Sequence, residues 1–210
     1  MNAQTIVRDW GKITLRRNPM LSEAEALAAT ETVGQVADQA AINWALVGGF
    51  AMSLYDSPRY TKDIDIIAAR ALPVSREMVV GGLRQGGERY AVQLPEGRVV
   101  PVDWIVRADD ARPLFDTALA EATEVNGLPV ITPEWLVILK LIAGRFKDQE
   151  DGVWLLRQAK LVNRRLVKRH IVNAAGRLAW VAFSVNFFRW CDLADGRSRE
   201  GDENESYRPL

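Results

Sequence analysis

Between Trp44 and Ile67 the chain reads WALVGGFAMSLYDSPRYTKDIDII, and no other stretch restricts its fold as much. Trp44 to Val47 is a short β-prone run, and Gly48-Gly49 is a turn at which the backbone can approach a ligand closely. Phe50, Ala51, Leu54 and Tyr55 recur at helical spacing, so a helix should follow the glycines and present its free first-turn amides to an anion such as a phosphate. Pro58 should end that helix. Asp63-Ile64-Asp65-Ile66 then alternates strictly, which on a strand puts both carboxylates on one face and both isoleucines behind them. Paired hard oxygen donors suit Mg²⁺, which takes one or two carboxylates and completes its shell with substrate phosphates and water.

Glycine pair, helix and Asp-x-Asp strand together resemble the DNA-polymerase-β-like nucleotidyltransferase superfamily. The closer resemblance is to the AbiEii-type bacterial nucleotidyltransferases, because Gly48, Gly49, Ala51, Tyr55, Arg59, Thr61, Asp63 and Asp65 fit the pattern GGxAxxxYxxxRxTxDID. This resemblance implies an α+β nucleotidyltransferase fold, a small mixed β-sheet flanked by helices, followed by a helical C-terminal region. It also gives Asp103 a role. In VVPVDWIV this single carboxylate lies among apolar residues, where it is costly unless paired or bound to a cation; an edge position facing water is the other reading. By the resemblance Asp103 is the third metal ligand beside Asp63 and Asp65. Two Mg²⁺ ions, or Mn²⁺, are implied with them, Gly48 and Gly49 hold the nucleotide's phosphates, and Arg59, Thr61 and Lys62 either bind phosphate or shape the loop.

Thr132-Pro133-Glu134 is a helix start. On a continuous helix after it, Leu136, Leu139, Ala143 and Phe146 form a core stripe, and Lys140, Gly144, Lys147 and Asp151 a neighbouring one with the glycine leaving room between the lysines. Lys140, Gly144-Arg145, Lys147-Asp148 and Asp151 resemble the K-x₃-G/A-R-x-K-D-x-x-D stretch of AbiEii-like proteins. That implies a catalytic Lys140 reaching the triphosphate, with Lys147 and Asp148 organising the site. From the residues alone, Lys140 either snorkels or has an anionic partner, and Asp148 could instead cap a second helix after a kink, with Asp151 as the acid of its capping box.

Elsewhere the spacing predicts a Ser22-capped helix to Ala41, a helix over Val74 to Arg84 ended by Gly86-Gly87, and a hairpin of Tyr90 to Leu94 with Arg98 to Val106. It also predicts a short helix from Asp109 to Leu119, a strand or hairpin turned by Asn126-Gly127, and two helices from Trp154 to Trp190 broken near Asn173 to Gly176. Val181, Phe183, Phe187, Phe188 and Trp190 read as packing, and His170 as a surface residue. The expected organisation is a core over residues 1–131 including an N-terminal helix, a helical region over 132–193 and a disordered tail over 194–210.

A 210-residue chain with 48% hydrophobic residues can bury a core. Its single cysteine, Cys191, excludes an internal disulfide, and neither a secretion signal nor an apolar run long enough to span a bilayer is evident, so a cytoplasmic location and no membrane partner are expected. Net charge is zero but uneven: no acid lies between Gly152 and Cys191, where Arg157, Lys160, Arg164, Arg165, Lys168 and Arg169 cluster. On one helix Arg157, Lys160, Arg164 and Lys168 would form a stripe over 157–169, either a solvated face or a surface for a polyanion such as RNA. The expected activity is Mg-dependent transfer of a nucleoside monophosphate from a nucleoside triphosphate to a hydroxyl. As in the toxin-like relatives, the acceptor is expected to be an RNA 3′ end, with a cognate antitoxin as a further partner. A small-molecule (aminoglycoside-type) or protein adenylyltransferase, and a non-catalytic nucleotide- or partner-binding module, are the alternatives.

Overall fold

The computed structural model of the chain describes residues 19–76 and 79–197; the expectations for the N-terminal segment before Pro19 and for the tail beyond Arg197 fall outside them. The first helix, α1 (Glu23–Gln39), starts where its cap predicts: Ser22 Oγ accepts from the Glu25 amide at 3.3 Å while the Glu25 carboxylate accepts from the Ser22 amide at 2.7 Å. Ala26, Ala29, Val33 and Ala37 bury one face of it. Gly34 admits the Trp44 ring, since a Cβ there would lie 2.5 Å from Trp44 Cζ2.

The strands β1 (Trp44–Val47), β2 (Ile64–Ala68), β3 (Gly81–Gly82), β4 (Gly87–Gln93), β5 (Val99–Ile105), β6 (Thr123–Val125) and β7 (Leu128–Val130) form one seven-stranded sheet in the order β3-β4-β5-β2-β1-β7-β6. It is mixed: β2 runs antiparallel to β1 but parallel to β5, and β1 runs parallel to β7. Hairpins join β4 with β5 and β6 with β7, the latter turned by Asn126 (φ 51°) and Gly127 (φ 78°) as an Asn-Gly turn requires. Pro101, which has no N–H to donate, is tolerated in β5 because the β2 ladder begins one residue later, at the Ile64–Val102 pair. Helix α1 lies against β2, β4 and β5, and α3 (Arg112–Ala120) against β2, giving the expected α+β arrangement of a mixed sheet with flanking helices.

Two local expectations fail in this unit. No α-helix forms over the described part of Val74 to Arg84; Gly81 and Gly82 instead pair with Arg89 and Glu88 at the sheet edge. Two adjacent glycines, each costing a helix about 1 kcal/mol, outweigh the apolar spacing. The helix behind Gly48, α2 (Gly48–Ser53), stops before Leu54, and a turn with Asp56 at φ 63° leads the chain away well ahead of Pro58.

Contacts divide the chain into two compact units at Thr132/Pro133. The second unit holds α4 (Pro133–Ala143), α5 (Phe146–Arg157) and α6 (Arg164–Ala194). The single helix expected through Asp151 is therefore broken. Gly144 adopts φ 65° and donates its N–H to the Lys140 carbonyl, a left-handed helix end, and Arg145 then caps α5. Asp148 does not cap α5 with Asp151 as its box acid; it lies three residues after the cap position, Arg145, and is itself the acid that accepts the Arg145 amide at 3.1 Å. Lys140 has anionic partners: its buried Nζ lies 3.2 Å from Asp148 Oδ1 and 2.5 Å from Asp151 Oδ2.

Helix α6 bends at Gly176 (φ 84°, ψ 175°), within the expected break, but a turn over 158–163 also separates it from α5. Phe187 and Trp190 are buried as packing residues, with Trp190 seated on Gly152, whereas Val181 and Phe188 are exposed. His170 packs against Trp135 with tilted rings 4.9 Å apart and is half-buried, so it is more enclosed than a surface residue. Contrary to the expectation, α6 is by length and composition apolar enough to cross a bilayer, with a best 18-residue window of mean hydropathy 1.3.

Burial pushes the Asp148 carboxyl up, but the Arg145 hydrogen bond and the Lys140 charge outweigh it and hold the group below the usual carboxylate range. A depressed folded-state pKa contributes stability above the unfolded pKa that is lost as pH falls through the lowered value. Acid should therefore loosen the helical unit below about pH 4. Asp148→Asn leaves Lys140 only one of its two buried carboxylate partners, and urea unfolding should show a loss of about 3 kcal/mol.

Candidate active site

Strand register assembles the site. Asp65 on β2 is paired with Asp103 on β5, Asp103 with Arg89 on β4, and Asp65 with Val47 on β1. Paired residues in neighbouring strands point to the same face, so Arg89, Asp103 and Asp65 form one charged row across three adjacent strands. Asp63 stands two residues ahead of Asp65, just before β2 begins, while Ile64, Ile66, Val102 and Trp104 are fully buried between these positions. Asp103 is only 7% exposed, which excludes the water-facing edge reading. Its neutralising partner is Arg89, whose Nε donates to Oδ1 at 2.5 Å and Nη2 to Oδ2 at 2.7 Å. The Asp103 hydrogen bond, reinforced by the charges of Asp103, Asp63 and Asp65, raises the Arg89 pKa, placing the guanidinium in the field of all three carboxylates.

The glycines serve this row. Gly48 has φ 68°, and a Cβ on it would lie 2.0 Å from Asp65 Oδ2, so the backbone passes directly against the carboxylate. Gly49 does the same for Thr61: a Cβ would meet Thr61 Oγ1 at 2.8 Å. That hydroxyl lies 2.8 Å from the Asp63 carbonyl oxygen and 3.1 Å from Asp63 Oδ1, while the Thr61 carbonyl accepts from the Leu21 amide at 2.8 Å. Thr61 thus shapes the loop and orients Asp63. Arg59 is half-buried and Lys62 exposed on either side of it. A cavity of about 340 Å³ opens at Thr61, lined among others by Glu23, Phe50, Asp56, Arg59 and Tyr60.

The donor set consists of hard carboxylate oxygens on one face, which is the chemistry Mg²⁺ selects. Among the described residues, however, no three metal-ligating side chains are gathered as a ready cage. The arrangement differs from one with all three carboxylates open toward a common ion, because Arg89 covers both Asp103 oxygens. Arg89 is the site residue that sequence reasoning passed over. A hairpin closed by Leu94 and Arg98 places Arg89 opposite Asp103 by counting alone, so the register was the signal.

The remaining expected site residues lie in the helical unit. Lys140 and Asp148 are brought together there with Asp151, while Lys147 is exposed. The expected basic stripe is not one helix face. Arg157 ends α5, Lys160 lies in the turn, and Arg164 begins α6, where it pairs with Asp195 at 2.7 Å. Arg157, Lys160, Arg165, Lys168 and Arg169 are nevertheless exposed.

No protein-family model and no curated protein sequence matches the chain. Among solved structures it is similar to an antigenic nucleotidyltransferase-like protein from Paracoccidioides brasiliensis, at 20% identity over 81% of this chain and 95% of that one, with a TM-score of 0.46. It is also similar to JHP933 from Helicobacter pylori, at 15% identity over 87% and 95% of the two chains, TM-score 0.48. The antibiotic-resistance factor ANT(2'')-Ia is similar at 14% identity over 84% and 94%, TM-score 0.38.

Gly48→Ala tests the construction of the row. The left-handed backbone alone costs a non-glycine residue about 1–2 kcal/mol, and the methyl must also displace Asp65. Chemical denaturation should show a loss of at least about 1 kcal/mol, and a loss of a few tenths would mean that Asp65 does not stand against this turn.

Proposed function

We propose that the chain is a metal-dependent nucleotidyltransferase of the DNA-polymerase-β-like superfamily, with its centre at Asp63, Asp65 and Asp103. The observation that carries this reading is the register pair Asp65–Asp103 on parallel neighbouring strands, with Asp63 ahead of it and the Gly48 backbone against the Asp65 carboxylate. Carboxylates are set side by side on a sheet, against their mutual repulsion, where a cation is to be shared.

Asp63, Asp65 and Asp103 would hold Mg²⁺ or Mn²⁺; bound there, such ions neutralise triphosphate charge and lower the pKa of an attacking hydroxyl. The backbone amides at Gly48 and Gly49, which no side chain caps, are assigned to the triphosphate's outer phosphates. Asp103 is assigned to the acceptor side, where it orients the hydroxyl that attacks the α-phosphate as pyrophosphate leaves. The cavity beside Thr61 is of a size for the nucleoside. Lys140, which Asp148 and Asp151 engage, is not assigned a step here; Lys147 is the exposed cation of that segment.

For the acceptor we propose an RNA end. The support is the exposed cations Arg157, Lys160, Arg165, Lys168 and Arg169, spread over a helix–turn–helix surface free of acids from 153 to 169.

Incubating the protein with Mg²⁺, each labelled nucleoside triphosphate and separate pools of RNA, protein and aminoglycosides should place label on RNA. Asp63→Asn and Asp65→Asn should each abolish labelling while leaving the melting temperature in EDTA unchanged or higher, because each removes a repelling charge. Label on a small molecule or protein alone would overturn the RNA assignment. Undiminished transfer by either variant would overturn the site.

A further inference from the structure

We propose that Arg89 is a positioning residue that holds the place of the metal at Asp103, and that it must give up this carboxylate before a divalent cation can be shared by Asp63, Asp65 and Asp103. The proposal rests on the reading of those three residues as metal ligands.

Both donors of the Arg89 fork lie on Asp103, one on each oxygen. A carboxylate has further lone pairs, but an ion brought to them would stand beside a full positive charge. The guanidinium cannot relieve that repulsion by losing a proton, because arginine stays charged at any ordinary pH. It can only move. The two partners differ in freedom to do so: the Arg89 side chain is 35% exposed, whereas that of Asp103 is 9% exposed and fixed among the buried residues of β5. Arg89 is therefore the mobile half of the pair.

Arg89 also eases the crowding of the carboxylates. Its charge lies in the field of all three, so it lowers the repulsion that would otherwise splay them. Once displaced, its planar fork matches two oxygens of a phosphate as well as it matches a carboxylate. Bare metal must then bind weakly, and metal arriving with a triphosphate more strongly, because the triphosphate offers the guanidinium a new partner. Metal and nucleotide are coupled through one side chain.

The test is Mn²⁺ binding to the full chain, stripped of metal and followed by electron paramagnetic resonance, with and without a non-hydrolysable ATP analogue. R89Q should bind bare Mn²⁺ about tenfold more tightly than the unmodified protein, the equivalent of one charge-assisted bond no longer broken. The analogue, which should tighten Mn²⁺ binding to the unmodified protein, should do so much less in R89Q. R89K keeps the charge without the fork and should fall between the two, so it carries the test alone if R89Q does not fold. Bare Mn²⁺ binding that is equal or weaker in the variants, or nucleotide coupling that survives in R89Q, would overturn the proposal. D63N separates the two levels. If it binds Mn²⁺ as the unmodified protein does, or if neither R89Q nor the unmodified protein binds Mn²⁺, the metal-site reading itself has failed and this proposal falls with it.

Discussion

Negative charge gathered on the face of a β-sheet must be neutralised, and the sheet unit is arranged around that requirement. Asp103 sits in a strand whose other residues are almost all buried, in register with Asp65. Water cannot solvate it adequately, so the chain supplies Arg89 from the adjoining strand. The turn at Gly48 contributes in a different way. By dispensing with a side chain it lets Asp65 stand against the backbone, and Gly49 lets Thr61 approach and orient Asp63.

The second unit solves the corresponding problem for a buried cation. Lys140 on α4 is enclosed with Asp148 and Asp151 of α5, and Asp148 simultaneously closes the cap at Arg145. One carboxylate thus ends one helix connection and neutralises the preceding helix's buried cation. An arrangement of this kind fixes which face of α5 meets α4, because any other rotation would strand a charge.

Much of this was legible wherever local chemistry decides the structure. Ser22 with its first-turn acids, the Asn126-Gly127 turn and Pro133 at a helix start each act within a few residues, and each appears as expected. The alternation around Asp65 and the apolar surroundings of Asp103 likewise led to side-by-side carboxylates, of which Asp103 is buried and Asp65 half-buried. Failures came where one residue breaks a period that the rest of the window supports. Gly144 carries the spacing of Lys140, Lys147 and Asp151 perfectly well as a helix, yet its left-handed conformation ends that helix. The basic stripe failed for a similar reason: the turn over 158–163 contains neither proline nor glycine to announce it. Gly81-Gly82 was the opposite case, a visible breaker set aside in favour of the apolar pattern around it. Arg89 was missed because reading motifs one segment at a time does not count across a hairpin.

The pairing of β4 with β5 also bears on how the sheet finds its alignment. Along β5 the residues are buried on both faces, so hydrophobic pattern distinguishes poorly between one pairing and the same pairing slipped by a residue. The Arg89–Asp103 pair distinguishes them sharply. A slip of one position would turn Arg89 to the opposite face from Asp103 and leave a carboxylate buried without a counter-charge. The arginine therefore acts as an alignment key during assembly of the hairpin, rejecting misregistered sheets before any ligand is met.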